Sequence, residues 1–279
     1  MGESAPEADG NNPQRGQAPN AQYQIFNGQK DVTIVNVNFK FNPADFMICL
    51  NSAWKGTFLK EDIKNAELQM QNTGNVYFSG CNFDGVIASP FSSKTQATFI
   101  NCNFKNVYNA YAIKDIYSPK ASITGCTFDH CGGGIYFEGD VAKENIVIEN
   151  NVFTNVDTYA AEEKEFTRGL IQFSAKGDYS NADITIADNT STGEAATVRQ
   201  LNTTLTADVL DLDEVVENNK FEGNVLTDSS FGKNTVYYNG TYYDTLSNAL
   251  TGVYMSTPQG TAKVYCKPGA DVGLSLIHI

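Results

Sequence analysis

The 279-residue chain is short of positive charge, with 19 Lys and Arg against 32 Asp and Glu and a formal charge of −13. Nucleic acids and anionic membranes both call for a basic surface, so neither is an expected partner. No apolar run is long enough to span a bilayer, and membrane insertion is not expected either. Leu-rich stretches at helical spacing are also missing, which removes leucine-rich and all-helical repeats. Charged residues make up only 18% of the chain, whereas apolar residues reach 41% and Gly at 23 far outnumbers Pro at 8. That is too much apolar material for a disordered chain, and enough for one large domain or two small ones.

The ends differ from the middle. Residues 1–21 carry Gly, Pro, Asn, Gln and Ala with almost nothing to bury, and read as a flexible leader or linker without the apolar stretch of a signal peptide. Residues 274–279 read LSLIHI, which resembles the translation of a sequencing-library adapter, and are expected to be a non-native tail on a metagenomic fragment. His278 then carries no functional argument, leaving His130.

Between the ends lies an internal repeat. IVNVNFKF (34–41), FSGCNFDGV (78–86), INCNFKNV (100–107), ITGCTFDHC (123–131), IENNVFTNV (148–156) and VENNKFEGN (216–224) share one frame. An apolar residue is followed by Asn or Gly, a small buried-type residue, a variable position and Phe. Consecutive copies recur mostly about 21–25 residues apart, with period-two alternation inside each copy, as expected of stacked short strands. One column, Asn36, Gly80, Asn101, Gly125, Asn150, Asp188 and Asn218, is suited to left-handed corners and to stacked amides. The next column holds Val37, Cys81, Cys102, Cys126, Asn151, Asn189 and Asn219, and the Phe column predicts an aromatic stack in the core.

The strings NCNFKNV and GCTFDHCGGGIYFEG resemble the right-handed parallel β-helix repeat (PbH1) family, the pectate-lyase-like superfamily that includes bacterial secreted and surface proteins. The resemblance implies an all-β, right-handed parallel β-helix over residues 22–232. Residues 233–273 are expected to form a hairpin, helix and strand that either cap this solenoid or open a second one. The hairpin signal is Asn239-Gly240 between aromatic strands, and Asp244 is the expected N-cap of a helix over 245–253.

The family's hydrolase motifs are absent, and only Arg15, Arg168 and Arg199 could serve as an arginine base for a lyase, so no catalytic residue is assigned. Charges just after the Phe column (Lys40, Asp84, Lys105, Asp129) alternate in sign, which suits a solvated sheet face better than a calcium site. Asp208, Asp211, Asp213, Glu214 and Glu217 read as a strand with an acidic edge, with calcium possible there and no other cofactor expected. Cys81, Cys102 and Cys126 read as inward free thiols. His130 reads as a turn residue. The most suggestive surface follows the second apolar patch. Aligning AIK (112–114), YFE (136–138) and QFS (172–174) puts Ala112, Tyr136 and Gln172 in one outward column and Lys114, Glu138 and Ser174 in the next, flanked by Arg168 and an inserted loop at 156–167. Tyr136, Glu138, Gln172, Lys114 and Arg168 are therefore the candidate glycan-binding residues. The resulting expectation is a non-catalytic extracellular or cell-surface scaffold or adhesion module, with polysaccharide or cell-surface glycan as partner. A polysaccharide lyase or glycoside hydrolase acting on acidic polysaccharide, and a phage tail-spike or fibre domain requiring a trimer, are the alternatives. The oligomeric state stays open.

Overall fold

The computed structural model describes residues 21–24, 31–42, 64–70, 74–90, 95–156, 168–174, 176–192, 198–200, 204–206, 208–222, 234, 236–238, 241–256 and 264–266. The expected leader up to residue 20, the tail at 274–279, nearly all of the inserted loop, Cys49 and the Asn239-Gly240 turn lie outside them.

The protein is mostly β, with two parallel sheets and few helices. Alternation explains the first sheet. Val32–Val35, Asn75–Ser79, Gln96–Ile100, Lys120–Thr124, Asn145–Glu149 and Asp183–Ala187 pair in that order, all parallel. The second and fourth residues of the five longer strands, and the first and third of Val32–Val35, point inward, so Ile34, Phe78, Phe99, Ile123, Ile148 and Ile186 face the core side by side. After each strand one residue adopts a left-handed backbone: Asn36, Gly80, Asn101, Gly125, Asn150 or Asp188. The chain then enters the second, 12-stranded sheet, where Asn38–Lys40, Asn82–Asp84, Asn103–Ile116, Thr127–Phe137 and Val152–Thr154 run parallel.

The Phe column stacks as expected. Neighbouring rings of Phe39, Phe83, Phe104, Phe128 and Phe153 lie 5.0, 4.6, 5.1 and 4.7 Å apart and nearly parallel. Each such pair adds about 0.5–1.5 kcal/mol beyond area burial. Phe78 on Phe99 (5.2 Å) and Phe137 on Phe173 (5.0 Å) form two further stacks that the repeat frame does not mark.

The corner column corrects one expectation. Its Asn residues are not the amide ladder; the ladder lies one residue on. Asn151 Nδ2 donates to Asn189 Oδ1, and Asn189 Nδ2 to Asn219 Oδ1, both at 2.9 Å. The same amides donate to the Ile123, Ile148 and Ile186 carbonyls at 2.8 Å. Cys81 and Cys126 occupy the equivalent positions in earlier repeats and donate Sγ–H to the Ile34 and Phe99 carbonyls. In the corner column, Asn and Gly alternate for steric reasons. A Cβ at Gly80 would collide with the Asn36 amide oxygen, and one at Gly125 with that of Asn101.

Two further expectations change. The acidic run is not a strand: Leu212–Glu217 is an α-helix, because Leu212 and Val215, three apart, both bury while Val216 faces solvent. The C-terminal hairpin Val236–Tyr238 and Thr241–Tyr243 is antiparallel, joined by Tyr265–Cys266, and Tyr237 belongs to the main core. Its helix spans Leu246–Ser256, and Thr245 takes the N-cap role, its Oγ1 accepting from the Asn248 N–H at 3.2 Å; Asp244 instead holds the Asn248 side chain.

Candidate functional site

The face around Tyr136 is shaped by irregularities in one strand. Asn103–Ile116 follows Thr127–Phe137 in simple register up to Val107↔Cys131, then shifts twice, to Ile113↔Ile135 and Ile116↔Phe137. At the first shift the segment between Val107 and Tyr111 opposes Gly132 alone, with Asn109 left-handed at φ 49°. At the second, Lys114 and Asp115 together oppose Tyr136, with Asp115 left-handed at φ 55°. Such bulges re-aim side chains. Tyr136 therefore faces Lys114 and Asp115, and not Ala112, which is fully buried. The pairing of Tyr136 with Gln172 is as expected.

Gly133 makes the room. A Cβ there would lie 2.6 Å from the Tyr111 ring, and its absence lets that ring stack on Tyr136 at 5.1 Å and 17°. The Tyr111 hydroxyl donates to Gln172 Oε1. Burial, with Glu138 and Asp115 nearby, pushes the Tyr136 pKa well up.

Of the five candidate residues, Tyr136, Glu138 and Lys114 reach the surface. Gln172 is nearly buried, at 6% exposure, and supports Tyr111 from below. Arg168 does not flank the face as expected: it is 4% exposed, and its guanidinium donates to Asn109 Oδ1 at 2.6 Å, bracing the first bulge. Lys114 Nζ lies 2.8 Å from Glu67 and 3.4 Å from Asp115, whose carboxylate accepts from Ser89 Oγ. Burial raises the Asp115 pKa against the pull of Lys114, with Glu67 and Glu138 adding to the rise. Burial alone would lower the Lys114 pKa, but Glu67 and Asp115 reverse this and raise it. Glu138 pairs with Lys176 at 3.5 Å.

Beneath the face sits Lys143, 2% exposed, which sequence reading missed. Its ammonium donates to the carbonyls of Ile116 and Ser118 at 3.1 Å and Glu138 at 3.3 Å, and burial lowers its pKa to about 8. Glu67, Asp115 and Tyr111 were missed as well; the first two lie beyond the repeat frame or inside a bulge, so no column pointed to them.

Elsewhere, His130 is a left-handed corner residue at φ 53° beside Asn106, and Lys105 meets Asp84 at 3.5 Å, in keeping with the sign alternation. A hollow of about 480 Å³ lies over Asn150, Asp188 and Lys220, but Asn189 and Asn219 in its wall are engaged in the amide ladder. Among the described residues no group of three or more His, Cys, Asp or Glu is placed to hold a metal, and no helix is long and apolar enough to cross a membrane.

Parallel sheets joined at left-handed corners define a repetitive, mostly β protein with a polar and aromatic face around Tyr136. The family described as adenovirus EB1 55K protein / large t-antigen matches residues 21–180, which include all five candidate residues, and the chain belongs to it. No curated protein and no solved structure matches.

Proposed function

We propose that the chain is a right-handed parallel β-helix of the pectate-lyase-like kind, acting as a non-catalytic scaffold that binds a saccharide around Tyr136. In-register parallel pairing, with a left-handed corner after each strand of the first sheet and a second one five residues on at Gly85, Asn106, His130 and Asn155, supports the coil. The binding reading is carried by the Tyr111–Tyr136 pair. The half-buried Tyr136 ring lies on a second ring that is itself locked by Gln172, with Lys114 and Glu138 at its edge. A rigid aromatic plane with polar edges suits the apolar face and hydroxyls of a sugar. An extracellular or cell-surface location goes with this reading, as in the resembling β-helix proteins.

Retention of the chain on immobilised polysaccharides tests it. Tyr136→Ala is expected to weaken retention about tenfold or more, as for loss of a stacking platform; unchanged retention would remove the face as a binding site. The second reading, a hydrolase or lyase on acidic polysaccharide, is favoured by the raised Asp115 carboxyl alone. New reducing ends or unsaturated products that vanish in Asp115→Asn would replace the scaffold reading with it.

A further inference from the structure

We infer that Lys143 is a positioning residue of the face around Tyr136, and that gain and loss of a proton on this one buried amine regulates saccharide binding there. This deepens the saccharide-binding reading above and rests on it. The amine joins two neighbouring repeats just past the ends of strands Asn103–Ile116 and Thr127–Phe137. The Ile116 carbonyl accepts both from Lys143 Nζ and from the Glu138 N–H, each at 3.1 Å. The Ser118 and Glu138 carbonyls complete the cage at 3.1 and 3.3 Å. Tyr117 therefore lies between two of the three acceptors, and Glu138 carries the third. Gly139 closes the arrangement: a Cβ there would lie 2.5 Å from the Tyr117 ring, so the half-buried ring rests on the backbone that the cage holds. From the far side the main-chain N–H of Lys143 donates to the Asp178 carbonyl at 2.7 Å, which anchors the lysine itself. One amine thus fixes both Tyr117 and Glu138 at the edge of the Tyr136 face.

Three acceptors match the three hydrogens of an ammonium, whereas a neutral amine has two and leaves one carbonyl without its donor. Lys143 is 2% exposed and Ser118 1%, so the loss falls on a buried group, where an unmet acceptor is costly. Among the described residues no carboxylate pairs with this ammonium. Glu138 turns its carboxylate to Lys176, Glu144 to Lys120, Asp115 to Lys114 and Ser89, and Asp178 to Ser180, while Asp140 is exposed. The charge is therefore held by carbonyls alone, and burial brings its pKa down to about 8. Burial moves the Tyr117 and Tyr136 phenols the other way, further from neutrality. Deprotonation frees one of the carbonyls that flank Tyr117 or follow Glu138, and the edge of the face loosens. Binding then falls as pH rises through about 8, and by reciprocity a bound saccharide holds the proton on Lys143 more tightly. The fold responds with the opposite sign, since a depressed lysine pKa makes the folded chain more stable as pH climbs. Weaker binding in that range is therefore not a loss of fold.

The test is calorimetric titration of the full chain, from pH 6.5 to 9.5, with two uncharged probes, cellotetraose and an N-acetylglucosamine tetramer. Affinity for a tetramer that binds is expected to fall about threefold to tenfold around a midpoint near pH 8, the worth of one hydrogen bond. Lys143→Met is expected to bind more weakly at pH 7 and to show a flat profile. Where that variant does not fold, the parent chain decides. The backbone amide signals of residues 116–118 and 138–139 are expected to titrate with the same midpoint in the free protein. They are expected to move to higher pH with a tetramer bound. An affinity that stays constant across the range, an equal fall in Lys143→Met, or amide signals that do not titrate would overturn the inference and leave the saccharide site standing. Binding of neither tetramer at any pH would overturn the saccharide reading, and this inference with it.

Discussion

At the residue scale, one column of side chains serves a single purpose with two chemistries. Cys81 and Cys126 donate a thiol hydrogen, and Asn151, Asn189 and Asn219 an amide hydrogen, to the strand carbonyl of the preceding repeat. Asn adds what Cys cannot, a carbonyl oxygen that accepts a backbone N–H of the preceding repeat, as Asn151 does for Cys126 at 2.9 Å. Asn189→Ala removes both functions in a site with no exposure, and is expected to destabilise by about 2–3 kcal/mol in urea unfolding, since buried partners are left unsatisfied. Asn189→Cys should recover part of that loss. The buried thiols are inert in the folded chain because none is exposed; burial also pushes Cys81 up and Cys131 up to about 12, while the hydrogen bond with Cys126 lowers Cys102 without exposing it. Alkylation of the native protein is expected to spare Cys81, Cys102, Cys126 and Cys131 and to reach exposed Cys266, with the four labelled only after unfolding. The columns themselves were legible in the sequence, but which of two adjacent Asn-rich columns carried the ladder was not, because Asn suits both a left-handed corner and an inward amide. The geometry at Asn36 and Gly80 decides: the corner amide fills the space a Cβ would need.

At the element scale, strand Asn103–Ile116 explains both what sequence reading found and what it missed. Its first half keeps the frame through Phe104↔Phe128, so the core was readable. Its second half gains residues at two bulges, and an alignment by constant spacing therefore put Ala112 where Lys114 and Asp115 stand. Asn and Asp at the two left-handed positions were the available signal. Lys143 ties the ends of this strand and its neighbour, through the carbonyls of Ile116, Ser118 and Glu138. Its folded pKa of about 8 lies below the ordinary lysine value of 10.5, so the unfolded chain binds more protons between those values. Stability from this group is therefore expected to rise as pH climbs from about 8 to 10.5, by on the order of 3 kcal/mol. Lys143→Met should lose that rise relative to the parent chain, read as the difference between their urea midpoints across the range. Parallel pH profiles would contradict the assignment.

At the scale of the whole molecule, the Phe stack is the spine. It runs from Phe39 to Phe153, and the rings of Phe78 and Phe99 meet it edge-on at 5.6 and 6.0 Å. Phe104→Ala is expected to destabilise by about 3–5 kcal/mol, because rings on both sides lose a stacked partner and a cavity remains; a smaller effect than Phe39→Ala at the end of the stack would argue against a continuous core. The parallel, mostly β character was readable from the repeat, while the acidic helix Leu212–Glu217 was not, since alternating Val, Leu and Asp over a few residues satisfies strand and helix spacing alike. The proposed coil and the proposed saccharide face meet at Tyr136. Backbone amide NMR of the full chain, titrated with saccharide tetramers, tests that junction most directly. The account predicts shifts concentrated at residues 111–117, 136–140 and 172–176; shifts confined to the outer side of the six-stranded sheet, or none with any saccharide, would contradict it.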